Sequence, residues 1–255
     1  MHIVTRSVLF AALATCLVAG NATYEGKWKM NLSKSDFGES TVTFEMTSAG
    51  EIKATTDGVT YTVKTDGKDY PTPWGTTTVW KSVNANTWEF TNKLNGKVME
   101  TATVKLSADD KTLTMDAKTV QATGGTANNT NVYQRVSGGP GLAGKWKTKN
   151  VKSSAPGIVE LITKGPDGIT FNFVNEGATC EAKFDGKDYP ATGAMFPAGW
   201  TCAVSKAGDN GLDVTWKKDG KPMYKSNMTA AGKTLTELTN ATGSADKVKI
   251  VYDRQ

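Results

Sequence analysis

The chain has 255 residues, with 30 Lys and Arg against 25 Asp and Glu and a formal charge of +5. Its lysines are interspersed with acids, which describes a solvated surface and not a nucleic-acid footprint. The single histidine is His2, so beyond the first residues there is no Ser-His-Asp triad, Cys-His dyad or histidine-bearing zinc site, and no cofactor is expected.

Residues 1–22 read as a signal peptide. Arg6 supplies the positive region, Val8 to Val18 is apolar apart from Thr15 and short for a bilayer span, and Gly20-Asn21-Ala22 places small residues for cleavage after Ala22. Val18-Ala19-Gly20 is a second cleavage option. Leu13-Ala14-Thr15-Cys16 only faintly resembles a bacterial lipobox, because Thr15 is a poor residue before a lipidated cysteine. No later stretch is long and apolar enough for a transmembrane segment, so the reading is a secreted or periplasmic protein.

Short alternating runs follow. Val42, Phe44 and Met46 share one face, as do Val59, Tyr61 and Val63, then Trp88 and Phe90, then Leu113 and Met115. Period two predicts half-buried strands. Ala49-Gly50, Asp57-Gly58, Asp66-Gly67, Asn95-Gly96 and Asp109-Asp110 punctuate them as hairpin turns. Val136 to Leu142 is rich in Gly with one Pro, and residues 138–142 read as an interdomain linker. Beyond it the pattern resumes with Ile169, Phe171 and Phe173, then Cys180, Ala182 and Phe184, then Leu212, Val214 and Trp216, then Val248, Ile250 and Tyr252.

The second half repeats the first. Gly26-Lys27-Trp28-Lys29 returns as Gly144-Lys145-Trp146-Lys147, and Asp66-Gly67-Lys68-Asp69-Tyr70-Pro71 as Asp185-Gly186-Lys187-Asp188-Tyr189-Pro190. Lys111-Thr112-Leu113-Thr114 returns as Lys233-Thr234-Leu235-Thr236, and Val132-Tyr133-Gln134-Arg135 as Val251-Tyr252-Asp253-Arg254. Four matches in one order, at one spacing a little under half the chain, indicate a tandem duplication of whole domains. The expected organisation is all-β: barrel 1 over 23–137 and barrel 2 over 143–255, each an antiparallel up-and-down meander of about eight strands that closes to remove its edges.

Each copy opens with Gly-Lys-Trp and closes with Val-Tyr-x-Arg. This resembles the calycin pattern of lipocalins, fatty-acid-binding proteins and avidins, and the wider arrangement is similar to secreted lipocalin-like proteins of bacteria. The resemblance implies that the first-strand Trp crosses one barrel end and that the last-strand Arg stacks on it. Within each copy this pairs Trp28 with Arg135 and Trp146 with Arg254, a cation–π contact that seals the barrel. The ligand-contacting Asn-x-Leu-x-Ser series of avidins is out of register at Asn31-Leu32-Ser33 and absent after Trp146, so biotin binding is not implied.

Past the leader only Cys180 and Cys202 remain, and an even pair in an exported chain reads as one disulfide between neighbouring strands. The alternative is two buried free thiols. Tyr61 occupies the position of Cys180 in the first copy, so the bond is an addition to the fold.

The aromatic residues are the candidate ligand contacts: Tyr61, Trp74, Trp80, Trp88 and Phe90 in the first copy, and Phe173, Phe184, Phe196, Trp200 and Trp216 in the second. Either they line a pocket for a small apolar or amphipathic ligand or they fill a small barrel solidly. In the loops around Trp74 and Phe196 the copies diverge, which places recognition or mouth-capping there. The repeated Asp-Gly-Lys-Asp-Tyr-Pro reads first as a turn, with a polar mouth built on Asp69, Tyr70, Asp188 and Tyr189 as the functional alternative. The leading expectation is an exported, non-enzymatic binding protein holding such a ligand or an envelope partner at the barrel mouths. Rival readings are an interaction or inhibitor module working through loops on solid barrels, and a hydrolase built on carboxylates such as Asp109 and Asp110. Interior volume separates the first two.

Overall fold

A computed structural model describes residues 23–37, 40–47, 50–56, 58–193, 196–244 and 247–255. The leader with Cys16, the turn residues Ala49 and Asp57, and loop residues Ala194 and Met195 lie outside the described residues.

The described residues are all-β and form twenty strands. The first is β1 (Gly26–Met30). Then come β2 (Thr41–Met46), β3 (Glu51–Thr56), β4 (Val59–Lys64), β5 (Asp66–Pro71), β6 (Thr77–Asn84), β7 (Thr87–Leu94), β8 (Lys97–Leu106), β9 (Thr112–Val120), β10 (Thr126–Ser137) and β11 (Gly144–Ser153). The second half supplies β12 (Ile158–Lys164), β13 (Gly168–Phe173), β14 (Ala178–Lys183), β15 (Asp188–Gly193), β16 (Trp200–Lys206), β17 (Gly211–Lys218), β18 (Lys221–Ala231), β19 (Thr234–Ala241) and β20 (Val248–Arg254).

These strands form two ten-stranded antiparallel sheets, more than the eight per copy inferred from turn spacing. Barrel 1 is the uninterrupted meander β2 to β11. It is curled until β2 pairs with β11, and its two ends, β4 and β5, meet at an unladdered seam. Barrel 2 is the meander β12 to β20, closed by β1, which pairs with β12 on one side and β20 on the other. The copies have therefore exchanged their first strands, and the boundaries read from the repeat are one strand out of phase with the barrels. Residues 138–142 are correspondingly not a linker. They form the connection of the β10–β11 hairpin within barrel 1.

The chain crosses between barrels elsewhere, at 31–40 and 154–157. The first crossing hugs barrel 2 before it leaves. Asn31 N–H donates to Val251 O (2.7 Å), and Asp36 and Lys249 exchange backbone bonds of 2.7 and 3.0 Å. Thr148 N–H then donates to Ser40 O (2.9 Å), tying the segment to barrel 1.

The exchange corrects the expected tryptophan–arginine partners. Arg254 stacks on Trp28 and Arg135 on Trp146, each with its guanidinium carbon 4.1 Å from the ring centroid. The two seats are alike in detail. Both indoles are fully buried, and their Nε1–H groups donate to the carbonyls four residues upstream, Tyr24 (2.8 Å) and Leu142 (3.0 Å). Arg135 donates to Asp110, Ala143 and Gly141 carbonyls, and Arg254 to those of Glu25 and Thr23. Both motif glycines are needed. Gly26 (φ +138°) and Gly144 (φ +144°) have positive φ, and a Cβ would lie 2.4 Å from Arg254 Nη1 at the first and 2.5 Å from Ser137 O at the second.

Cys180 and Cys202 form the expected disulfide, with Cα atoms 6.6 Å apart. The strands it joins are not neighbours, because β15 runs between β14 and β16. Tyr189 on β15 faces Cys202, and Ala191 faces Cys180, so the bond crosses the inner face of that short strand.

The repeated hexapeptide folds differently in the two copies, as strand β5 with a bulge between Asp66 and Asp69 in the first and as a turn leading into β15 in the second, but both keep the same aspartate-centred bonds. Asp66 Oδ1 accepts from Lys68 N–H (3.1 Å) and Oδ2 from the Tyr70 hydroxyl (2.9 Å). Asp185 does the same with Lys187 and Tyr189 at 3.0 Å each.

Candidate functional site

The barrels have equivalent strands, so each inward position of one has a counterpart in the other, and the contents differ systematically. In barrel 1, Phe44, Ala54 and Tyr61 stand abreast on β2, β3 and β4, where barrel 2 has Leu161, Phe171 and Cys180. Thr56 beside Val42 corresponds to Phe173 beside Val159. Across β6, β7 and β8, Thr78, Asn92 and Glu100 correspond to Cys202, Trp216 and Tyr224. One layer further from the Trp74 loop, Trp80 and Phe90 of barrel 1 correspond to Val204 and Val214.

Barrel 2 thus sets Phe171, Phe173 and Trp216 where barrel 1 has Ala54, Thr56 and Asn92. The three rings pack on one another with centroids 5.4 to 6.4 Å apart. Barrel 1 keeps its rings deeper, with Trp80 stacked on Phe90 at 5.1 Å and edge-on to Phe44 at 6.0 Å. The small residues above them leave a cavity of about 230 Å³ inside barrel 1. Its wall is mainly apolar, with Phe44, Phe90, Val104 and Leu113 among the lining residues, and its polar groups include Tyr61, Thr78, Asn92 and Tyr133.

Trp74, on the β5–β6 loop, stands over this cavity. Its ring meets Tyr61 edge-on at 5.6 Å, while its other contacts belong to barrel 2. Trp74 Nε1–H donates to the Tyr224 hydroxyl (2.9 Å), Trp74 O accepts from Trp200 Nε1–H (3.1 Å), and the ring packs against the core of barrel 2. Trp200 lies parallel to Tyr224 at 6.2 Å and tilted against Phe196 at 5.8 Å. The divergent loops of the two copies therefore meet, and of this contact Trp74 lines the cavity. Between the barrels a cleft of about 340 Å³ shares Ser40 and Tyr133 with the cavity wall.

The polar side of barrel 1 is organised around Glu100. Its carboxylate accepts from Asn92 Nδ2 (2.8 Å) and Thr119 Oγ1 (3.4 Å), and Asn129 Nδ2 donates to Thr119 Oγ1 (2.9 Å). Burial raises the Glu100 carboxyl above its ordinary range against these two bonds. The Tyr61 hydroxyl is pushed up to about 12 by burial, with the charge of Glu100 adding to the effect. Trp80 is only 4% exposed, and its Nε1–H has no acceptor in the protein.

Of the aromatic candidates, Tyr61, Trp74, Trp80 and Phe90 come together around the cavity. Trp88 belongs to the barrel 1 core outside that wall. Phe173 and Trp216 fill barrel 2, Phe184 packs at its margin under Lys206 Nζ (4.8 Å), and Phe196 and Trp200 form the seat for Trp74. Sequence reading missed Thr78, Asn92, Glu100 and Tyr133. A register-by-register comparison of the copies carries the signal, since Asn92 stands where Trp216 stands and Glu100 where Tyr224 stands.

Asp109 sits in the β8–β9 turn, where Ser107 Oγ (2.6 Å) and Lys111 N–H (3.2 Å) donate to it. The Ser107 bond, foremost, holds its carboxyl below the ordinary value. Among the described residues no group of three or more His, Cys, Asp or Glu side chains is placed to hold a metal ion, and no helix is long and apolar enough to cross a membrane. Comparison with protein-family models and with curated proteins returns no match.

Proposed function

We propose that this chain is an exported, non-enzymatic binding protein whose ligand site is the cavity of barrel 1, with barrel 2 acting as the lid platform. The observation that carries the reading is the asymmetry between the copies: the same scaffold is filled by Phe173 and Trp216 in one barrel and left open beside Thr56 and Asn92 in the other. A protein interior is close-packed by default, so a vacant space on a scaffold that can be filled calls for a reason. Drug-sized ligands occupy pockets of roughly 300–1,000 Å³, and an apolar cavity of about 150 Å³ takes benzene. At about 230 Å³ the site suits a compact apolar or amphipathic molecule of one or two rings.

The disulfide supports export, because such bonds persist in oxidising compartments. The Trp–Arg seals at one end of each barrel support the calycin likeness. Titration of the intrinsic tryptophan fluorescence with a panel of one- and two-ring compounds tests the function. Binding should quench the emission and should be abolished by Thr56→Phe, which copies the barrel 2 residue into the cavity. Undiminished binding by a folded Thr56→Phe chain would place the site elsewhere.

A further inference from the structure

We infer that the ligand site continues from the barrel 1 cavity into the cleft between the barrels, and that its ligand joins an apolar ring, held in the cavity, to an uncharged hydroxyl-bearing group, held in the cleft. This rests on the cavity reading above and adds the chemical class of the ligand's outer end. The two spaces adjoin. They share Ser40 and Tyr133, and Trp74 in the cavity wall donates to the Tyr224 hydroxyl in the cleft wall (2.9 Å). Tyr133 and Asn131 are two residues apart on β10 and so lie on one face of that strand. Tyr133 lines the cavity, while Asn131, with Val151 opposite it on β11, lines the cleft. The inner face of barrel 1 thus runs outward past Tyr133 into the cleft. Barrel 2 supplies the facing wall, with Tyr224 on β18 and Thr239 and Asn240 on β19.

The β10–β11 ladder is adjusted at this point. Val132 pairs with Asn150 but Tyr133 pairs with Thr148, so β11 carries one extra residue, Lys149, beside two cleft residues. Bulges re-aim side chains and are over-represented next to active sites. Barrel 2 has no counterpart, since β1 ends at Met30, opposite Tyr252.

The wall chemistry selects the class. The chain is 22% charged, yet no charged side chain is among the described residues that line the cleft. Its polar groups are hydroxyls and amides, set beside the rings of Tyr133 and Tyr224. An ion placed there would lose hydration with no counter-charge to replace it. A neutral hydroxylated group fits better, because hydroxyl and amide side chains both donate and accept, and the tyrosine rings add apolar surface.

Four probes sharing one phenyl ether or ester head test the inference on the full chain: anisole, phenyl β-glucoside, phenyl phosphate and 2-phenoxyethylamine. The glucoside should bind about tenfold more tightly than anisole, the factor that two neutral hydrogen bonds support. The anion and the cation should bind no more tightly than anisole. The glucoside should also shift the Asn131 and Asn240 side-chain amide resonances in ¹⁵N-labelled protein, and anisole should not. Asn240→Trp, which fills the cleft from the barrel 2 side, should erase the preference for the glucoside while still binding anisole. The wild-type resonances keep the question answerable if that variant folds poorly. A glucoside no tighter than anisole, or amide resonances that stay in place, would overturn the cleft site and leave the cavity reading standing. Tighter binding of either charged probe than of the glucoside would overturn the neutral class. Binding of none of the four would overturn both readings.

Discussion

Replacing Trp28 with Ala separates the observed topology from the one that the repeat suggests. Trp28 lies in the first copy by sequence but is fully buried in the core of barrel 2, between Val159 on one side and Arg254 on the other. Truncating a buried Trp costs about 3–5 kcal/mol, with up to about 1 kcal/mol more for the lost cation–π contact. The Cys180–Cys202 bond closes a sequence separation of 22 residues and contributes about 3 kcal/mol by the chain-entropy model. Losing Trp28 therefore removes at least as much stability from barrel 2 as its disulfide adds.

The disulfide also reports on barrel 2 alone. In dilute dithiothreitol under native conditions, Trp28→Ala should expose that bond to reduction several hundredfold faster, the factor that 3–4 kcal/mol of easier opening implies (about tenfold per 1.4 kcal/mol). Trp146→Ala, made in the equivalent seat of barrel 1, should leave the reduction rate nearly unchanged while lowering the melting of the other barrel. The reverse result, with Trp146→Ala labilising the disulfide and Trp28→Ala sparing it, would refute the strand exchange.

Further outcomes follow from the same contacts. Arg135→Ala should destabilise barrel 1 by about 2 kcal/mol in chemical denaturation, through loss of the Trp146 contact and of three carbonyl bonds, and should not affect disulfide reduction. Burial raises the Glu100 carboxyl, so its contribution to folding is full below the ordinary value of 4.5 and is lost as pH rises through the raised value. Glu100→Gln should make barrel 1 more stable at neutral pH and less sensitive to mild acid in denaturant titrations. The Tyr61 hydroxyl contributes stability up to the ordinary value of 10.0 and loses it as pH climbs to about 12. Tyr61→Phe should flatten the alkaline decline of barrel 1.

The duplication, the β class and the closing Trp–Arg motif were legible because each leaves a local mark: a repeated peptide, a period of two, and Gly-Lys-Trp answered by Val-Tyr-x-Arg. The exchange of first strands was not legible, for a specific physical reason. β1 and β11 share Gly-Lys-Trp-Lys, and each seat offers the same indole acceptor, the same guanidinium and the same room for glycine, so side-chain chemistry does not tell which strand fills which seat. What distinguishes them is connection length, since 138–143 suffices for a hairpin and 31–40 for a crossing. The candidate site was half legible. Aromatic residues drew notice in both copies, but whether they line a space or fill one depends on the residues abreast of them. That pairing appears only when the register sets Asn92 against Trp216 and Thr56 against Phe173.

The placement of β1 also orders folding in time. Barrel 1 is one continuous stretch from β2 to β11 and can close as soon as that stretch is made. Barrel 2 waits for its two most distant strands, since Trp28 is registered with Arg254 and Gln255 N–H donates to Lys27 O (2.9 Å). Such long-range pairing is the slow kind. The first of the described strands to be synthesised is thus the last to be seated, and until then the Gly-Lys-Trp-Lys segment is free to try the look-alike seat in barrel 1. Joining Gln255 to Thr23 through a short turn and opening the chain within 31–40 would make each barrel one continuous run of ten strands, with a single closing pair between its ends, β2–β11 in one and β12–β1 in the other. Barrel 2 of that permuted chain should then close at the pace of barrel 1.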